Sequence, residues 1–356
     1  MRIESKSSIS KSSIFCGASG LRAIPRISPK LWIPQPCASQ PSLANFSLQR
    51  EVSLLGTLKW RIVFAMPRGA SGLSMAAGLV LIGIGPGGIG GMTRDAISAA
   101  KDADYRRYEA YTALWSQEDL ESLEGEIGEI RKVMRPEVED PVELLALAKT
   151  HSVALLVVGD PLQATTHVDL QLQALEAGVQ CTVIHGVAIT GLVTGAVGLS
   201  NYRFGRQTTL TYSYGGWIAT SPLEVIAVNR IQGLHTLALL DLDPTGEGVG
   251  GQKPMQPKDA ADAMERMALK LSETLDELPK DSNFDLMKIE ACNKITKDFA
   301  ELMVVLCSDM GTPEQSITYL SIEELANAEN GRLHCIIIPS EPSDVELSAL
   351  SRWSKK

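Results

Sequence analysis

Residues 153–167 read VALLVVGDPLQATTH, and the loop opening at Gly159 gathers a carboxylate (Asp160), an amide (Gln163), two hydroxyls (Thr165 and Thr166) and an imidazole (His167). No Lys or Arg accompanies them, so the set suits a polar or cationic ligand better than a phosphate. Two further clusters could do chemistry. Gly83, Gly85 and Gly88 fit the G-x-G-x-x-G spacing between a strand and a helix. Such a turn can cradle a pyrophosphate, approach a nucleoside that lacks phosphate, or simply join strand to helix. Pro86 inside it stiffens a loop that ought to wrap phosphates. In EAYT (109–112), Glu109 could act as a general base or as a surface or capping carboxylate. An extended strand end would put Glu109 and Tyr111 on one side and Thr112 on the other. His167, His185 and His235 read more readily as satisfied structural histidines than as acid/base groups. No Ser-His-Asp or Cys-His arrangement can be drawn from the spacing, so nucleophilic catalysis has no support.

The elements that must hold these loops alternate strand and helix. Six apolar residues at 153–158 suit a strand covered on both faces, as in a parallel sheet. Gly159 lets the backbone turn and Pro161 stops the ladder, leaving Asp160 at the strand's carboxyl end. Open α/β sheets bind their ligands there. Strands are expected at 78–84, at a segment ending in EAYT, at 129–133 and at 181–184; helices at 93–103 (Thr93 as N-cap), 116–124, 140–150 and 168–177. This repeat predicts a parallel, doubly wound sheet with right-handed crossovers. After the small-residue segment 186–198 the pattern changes to strands at 207–213, 235–241, 301–307 and 333–338, with helices near 222–231 and 258–278. The expectation is two α/β domains: an N-terminal one (77–187) with a mostly parallel sheet and a C-terminal one (188–345) with a mixed sheet. The Gly/Pro-rich stretch 243–257 reads as an exposed loop.

Composition narrows the function classes. With 44% apolar and 21% charged residues, the chain reads as globular, with one large or two medium domains. No apolar run is long enough to span a bilayer. Residues 1–76 hold ten Lys and Arg against two acids (Glu4 and Glu51), while the remainder holds 23 against 40. The acidic remainder, with no basic stripe, is a poor nucleic-acid binder. Six cysteines without a C-x-x-C pair or a His–Cys cluster argue for reduced thiols and against a metal site. The serine-rich, acid-poor first 76 residues have the composition of an organellar transit peptide; a tail, or translation upstream of a start at Met75, fits equally well.

Taken together, VVGDPLQATTHVDL (157–170), EAYT (109–112), NYRFG (201–205) and NRIQGLHTLALLDL (229–242) resemble the diphthine synthases, a branch of the tetrapyrrole methylase-like superfamily of S-adenosylmethionine (SAM) methyltransferases. The resemblance runs from about residue 77 to 340. It implies a two-domain homodimer with SAM in the cleft between domains. Contacts to the cofactor are implied at Pro86, Asp160, Gln163, Ala188, Ile189, Leu240, Met310 and His334. The implied acceptor is the modified histidine of translation elongation factor 2, whose 3-amino-3-carboxypropyl group is methylated on the amine and, in eukaryotes, on a carboxylate. That acceptor favours a cytoplasmic location over an organelle.

Three departures stand out. GIGPGG has Pro86 where the branch has a bulkier residue, and its GPG is closer to the tetrapyrrole-modifying relatives. VAI at 187–189 replaces the usual ASI, which removes a hydroxyl at Ala188, and the CSDMGTPEQ segment around Met310 matches loosely. A tetrapyrrole methyltransferase and a SAM-binding module without catalysis are therefore the rival expectations. No catalytic residue is assigned. Methyl transfer from a sulfonium needs alignment more than acid or nucleophile, and Asp160 and Glu109 are the candidates for handling a proton.

Overall fold

The computed structural model describes residues 76–329 and 331–354 of the 356-residue chain. The leader expectation for residues 1–76 therefore falls, apart from Ala76, outside the described residues. A first sheet contains β1 (Gly78–Gly83), β2 (Tyr105–Glu109), β3 (Arg131–Val133), β4 (Ser152–Val157) and β5 (Cys181–Ile184). All its pairs are parallel, in the order β3-β2-β4-β1-β5. Between the strands run α1 (Arg94–Asp102), α2 (Gln117–Ile127), α3 (Arg135–Glu139), α4 (Val142–Ala148) and α5 (His167–Glu176). Thr93 caps α1 as its type suggests, accepting from Ala96 N at 3.1 Å.

The apolar runs of the sequence explain this sheet. Leu79, Leu81, Val153, Leu155 and Val157 enter one core, whereas Val80, Ile82, Ala154 and Leu156 enter another. Alternate side chains of a strand point to opposite faces, so a strand covered on both sides must be apolar throughout. Each fully buried Leu or Ile here contributes roughly 1.5–3 kcal/mol.

α6 (Ile189–Ala196) leads into a second sheet of β6 (Thr208–Leu210), β7 (Thr236–Leu240), β8 (Met303–Ser308), β9 (Ser316–Ser321) and β10 (His334–Ile338). Its order is β6-β7-β10-β8-β9; β6 and β7 are parallel and the other neighbours antiparallel. This is the mixed sheet expected of the C-terminal half. α7 (Ser221–Ile231), α8 (Pro257–Thr274), α9 (Asn283–Lys297), α10 (Ile322–Leu325) and α11 (Asp344–Leu350) complete the described fold.

Six elements are new relative to the sequence pattern, the short α3 and α10 among them. α6 arises from a segment of small residues, because Thr190 and Val193 bury one of its faces. α9 buries only Ala291, Cys292 and Ile295, too few for a clear helical stripe, but Ser282 and Asp285 form its capping box. β9 is a half-exposed edge strand, and α11 is a short helix capped by Ser343. The stretch 243–257 also differs from a plain exposed loop. Gln252 Nε2 donates to Ala110 O at 2.6 Å, Arg135 N donates to Gly248 O, and Arg135 Nη1 donates to Gly246 O. It straps the second sheet's half of the chain to the first.

Candidate active site

The carboxyl ends of β1, β4 and β5 approach so closely that glycine is required where they meet. A Cβ on Gly83 would lie 2.5 Å from Gly186 N and 2.7 Å from Gly159 O. Gly85 and Gly159, both at φ 77°, exchange two backbone hydrogen bonds of 3.1 and 2.9 Å. Trp115 Nε1 donates to Gly85 O at 3.0 Å. The glycine-rich turn is thus pinned to β4, and Pro86 and Gly87 are what it presents to the cleft beside it.

Asp160 anchors the next loop. Its Oδ1 accepts from Leu162 N at 2.9 Å; its Oδ2 accepts from Gly186 N at 3.2 Å and pairs with His185 Nδ1 at 2.8 Å. The carboxylate is buried while the His185 ring lies largely in solvent. Asp160 therefore ties the end of β4 to the end of β5, and His185 takes the structural role its position suggested. Gln163 Oε1 accepts from Thr190 Oγ1 at 3.4 Å. Ala188 is the N-cap of α6 and Ile189 its first residue.

The second sheet supplies the opposite wall. Leu240 ends β7, and His334 begins β10 with its Nδ1 2.8 Å from Ser308 Oγ. Met310 is buried beside Asp309, a non-glycine residue held at φ 47° by hydrogen bonds from Arg332 N and Leu333 N to its carboxylate. Pro86, Asp160, Gln163, Ala188, Ile189, Leu240, Met310 and His334, spread over the chain from 86 to 334, all line this one cleft. Sequence alone missed other lining residues: Trp115, Ser116, Asp119, Thr312 and Arg332. Ser116 is readable as the N-cap of α2, but nothing local shows that it faces a cleft.

The charges that line the cleft are Asp119, Asp160, Asp309 and Arg332, beside the His334 imidazole. Burial pushes the His334 imidazole down, against the attraction of Asp309. Three carboxylates against one guanidinium favour a cationic group and disfavour a phosphate. Arg332 qualifies the expectation of a site without basic residues, since it comes from a distant loop. No cluster of His, Cys, Asp or Glu suited to a metal occurs among the described residues.

Glu109 and Thr112 correct the strand-alternation expectation. β2 stops at Glu109 and the chain bends, so Thr112 comes back to the same carboxylate. Thr112 N donates to Oε1 at 3.0 Å and Thr112 Oγ1 donates to Oε2 at 2.6 Å. Glu109 is fully buried, and burial pushes its carboxyl up to about 7 although Thr112 and Arg135 pull it down. His167 is buried too. Its Nδ1 lies 2.9 Å from Pro161 O, which makes Nδ1 the protonated nitrogen, and Nε2 has no hydrogen-bond partner among the described residues. Burial lowers its pKa, and it does not line the cleft. His235 is structural: Ser340 N donates to its Nδ1, so its Nε2 carries the hydrogen that reaches Glu346.

A parallel sheet and a mixed sheet that close a cleft at their strand ends define an α/β enzyme class. The family model for Tetrapyrrole (Corrin/Porphyrin) Methylases matches residues 78–326. The diphthine synthase of Methanocorpusculum labreanum is 30% identical over 72% of this chain and 91% of its own. That of Methanocaldococcus jannaschii is 31% identical over 76% and 97%. A crystal structure of a diphthine synthase superposes with a TM-score of 0.62 at 26% identity, covering 78% of this chain and 95% of the other. The chain belongs to the diphthine synthase family of the tetrapyrrole methylases, and it is a methyltransferase.

Proposed function

We propose that the protein takes a methyl group from S-adenosylmethionine bound in the cleft and delivers it to the modified histidine of translation elongation factor 2, in diphthamide biosynthesis. The observation that carries this is the gathering of Pro86, Asp160, Gln163, Ala188, Ile189, Leu240, Met310 and His334 at one cleft. The donor set fits the cofactor. A sulfonium cation suits a wall with three carboxylates, and Ile189, Leu240 and Met310 offer apolar surface to an adenine ring. The two sheets would be the two methylase domains, 77–187 and 188–345, and the working unit a homodimer in the cytoplasm, where the elongation factor is found.

When bound, SAM supplies a methyl group already activated by its sulfonium. The chain's own residues have three tasks. Asp160 fixes the geometry of the β4 loop through Leu162 and Gly186, so that Gln163 is presented to the ligand. Ile189, Leu240 and Met310 exclude water, which strengthens every polar contact inside. The third task concerns the proton on the acceptor amine, which must leave before the nitrogen lone pair can attack.

Mass spectrometry of elongation factor 2 from cells lacking this protein tests the assignment. The histidine modification should stall before methylation and be restored by the purified protein with SAM. A fully methylated histidine in those cells would sink it.

A further inference from the structure

Glu109 is the buried carboxylate that reaches the cleft through one side-chain hydroxyl. It has no exposure of its own, and Thr112, whose Oγ1 it holds at 2.6 Å, lines the cleft. The other cleft carboxylates are occupied differently. Asp160 and Asp309 hold backbone N–H groups of their loops. Asp119 pairs with Ser116 Oγ, which already accepts from Asp119 N. Thr165 and Thr312 spend their hydroxyl hydrogens on carbonyls and accept from His167 N and Glu314 N. Thr112 Oγ1 donates to Glu109 and accepts from no group among the described residues. A hydroxyl is one donor and two acceptors, so its cleft side can receive a hydrogen.

We propose that Thr112 and Glu109 form a proton relay that takes the proton from the acceptor amine. This rests on the methyltransferase assignment above and adds a role to it. The amine N–H donates to Thr112 Oγ1, the Thr112 hydroxyl hydrogen passes to Glu109 Oε2, and the N–H bond's electron pair stays on nitrogen. That lone pair then forms the C–N bond to the methyl carbon while the S–C pair leaves on sulfur. The charge balances: an ammonium and a carboxylate become an amine and a carboxylic acid. Thr112 touches the substrate, and Glu109 acts through it. The groups that face Glu109 are Tyr108 and Tyr111 from its own strand end and Arg135 from α3, with Glu139 of α3 acting on Tyr111. Both tyrosines are pushed above their usual values, mainly by burial, so they stay neutral while Glu109 titrates. A carboxyl near 7 is matched to accept a proton at neutral pH.

Three measurements on the full-length protein test the relay. Glu109→Gln should lower kcat for amine methylation by about a hundredfold or more at pH 7 and abolish the rise of rate with pH that the wild type shows toward 7. Thr112→Val should reproduce that loss, and Thr112→Ser, which restores the hydroxyl, should recover most of it. Infrared spectroscopy of the ligand-free protein should show a carboxyl band titrating near pH 7 that is missing in E109Q. A purely structural Glu109 would leave the pH limb in E109Q; that limb, or an active Thr112→Val variant, overturns the relay. Calorimetry of the wild type with SAM separates the two failures. A wild type that binds no SAM and leaves elongation factor 2 unmodified overturns the assignment beneath, whereas one that binds and methylates with an unchanged E109Q profile overturns the relay alone.

Discussion

Glu109 at the end of β2 and Glu346 in the first turn of α11 are almost equally hidden, at 0% and 4% exposure, yet they hold protons in opposite ways. Burial pushes the Glu109 carboxyl up to about 7, because the Thr112 hydroxyl and N–H, the Tyr111 N–H and the charge of Arg135 do not together offset it. Burial raises Glu346 as well, but its donors outweigh it. Ser343 N and Oγ, Ser200 N, His235 Nε2 and the Arg203 guanidinium all reach that carboxylate, which is held at about 2. Burial sets the cost of a charge; the count of donors decides whether it is carried. The two networks also lead to different places. Glu346 binds the 200-loop to α11, whereas Glu109 connects to a cleft hydroxyl.

The largest expected effect breaks the comparison at Glu346. Glu346→Ala should cost about 3–5 kcal/mol of stability by denaturant unfolding, since it leaves Arg203 and buried N–H groups without their acceptor. SAM affinity by calorimetry should be unchanged. An E346A protein as stable as the wild type would mean that its donors contribute nothing. The wild type should also lose stability as pH falls from about 4.5 toward 2, because the folded-state value is depressed.

Glu109 should behave with the opposite sign. Its folded-state value lies above 4.5, so the folded protein holds the proton more tightly than the unfolded chain. Stability is undisturbed below about 4.5 and declines as pH rises to about 7. Glu109→Gln should remove that decline, gaining on the order of 3 kcal/mol over the wild type above pH 7 and nothing at pH 4. Parallel unfolding curves for the two proteins across that range would show that Glu109 titrates like an exposed carboxyl.

Smaller effects sharpen the cleft side. Asp160→Ala should weaken SAM binding by about tenfold, roughly 1.4 kcal/mol, by loosening the loop that presents Gln163. Unchanged calorimetric affinity would take Asp160 out of the binding machinery. His185→Ala should change affinity less than about threefold, because the ring is mostly in solvent and does not line the cleft.

How much could be read beforehand varies with how local each signal is. β1 and β4 were legible because a strand buried on both faces must be apolar at every position, and Leu79 to Ile82 and Val153 to Val157 are. Gly159 and Asp160 were legible as a strand end for the same reason. α9 and β9 were not. Their buried positions are few, so partners elsewhere in the chain stabilise what local patterning does not announce. The strap at 243–252 was invisible, because glycine-rich composition looks alike whether the loop is free or bonded to Arg135 and Ala110. Strand alternation puts Thr112 on the side away from Glu109, but alternation holds only while a strand continues and β2 stops at Glu109.

By itself the sequence determined the runs that become sheets, the glycines at the strand ends and the family blocks that mark Asp160 and Gln163. These are short-range facts, written in adjacent residues. Only the tertiary structure brought Pro86 and Asp160 together with Leu240 and His334, and only it raised the Glu109 carboxyl to about 7. A cleft is made by segments far apart in the chain, and a pKa by the water and donors that packing removes or supplies. Neither quantity exists until the chain has folded.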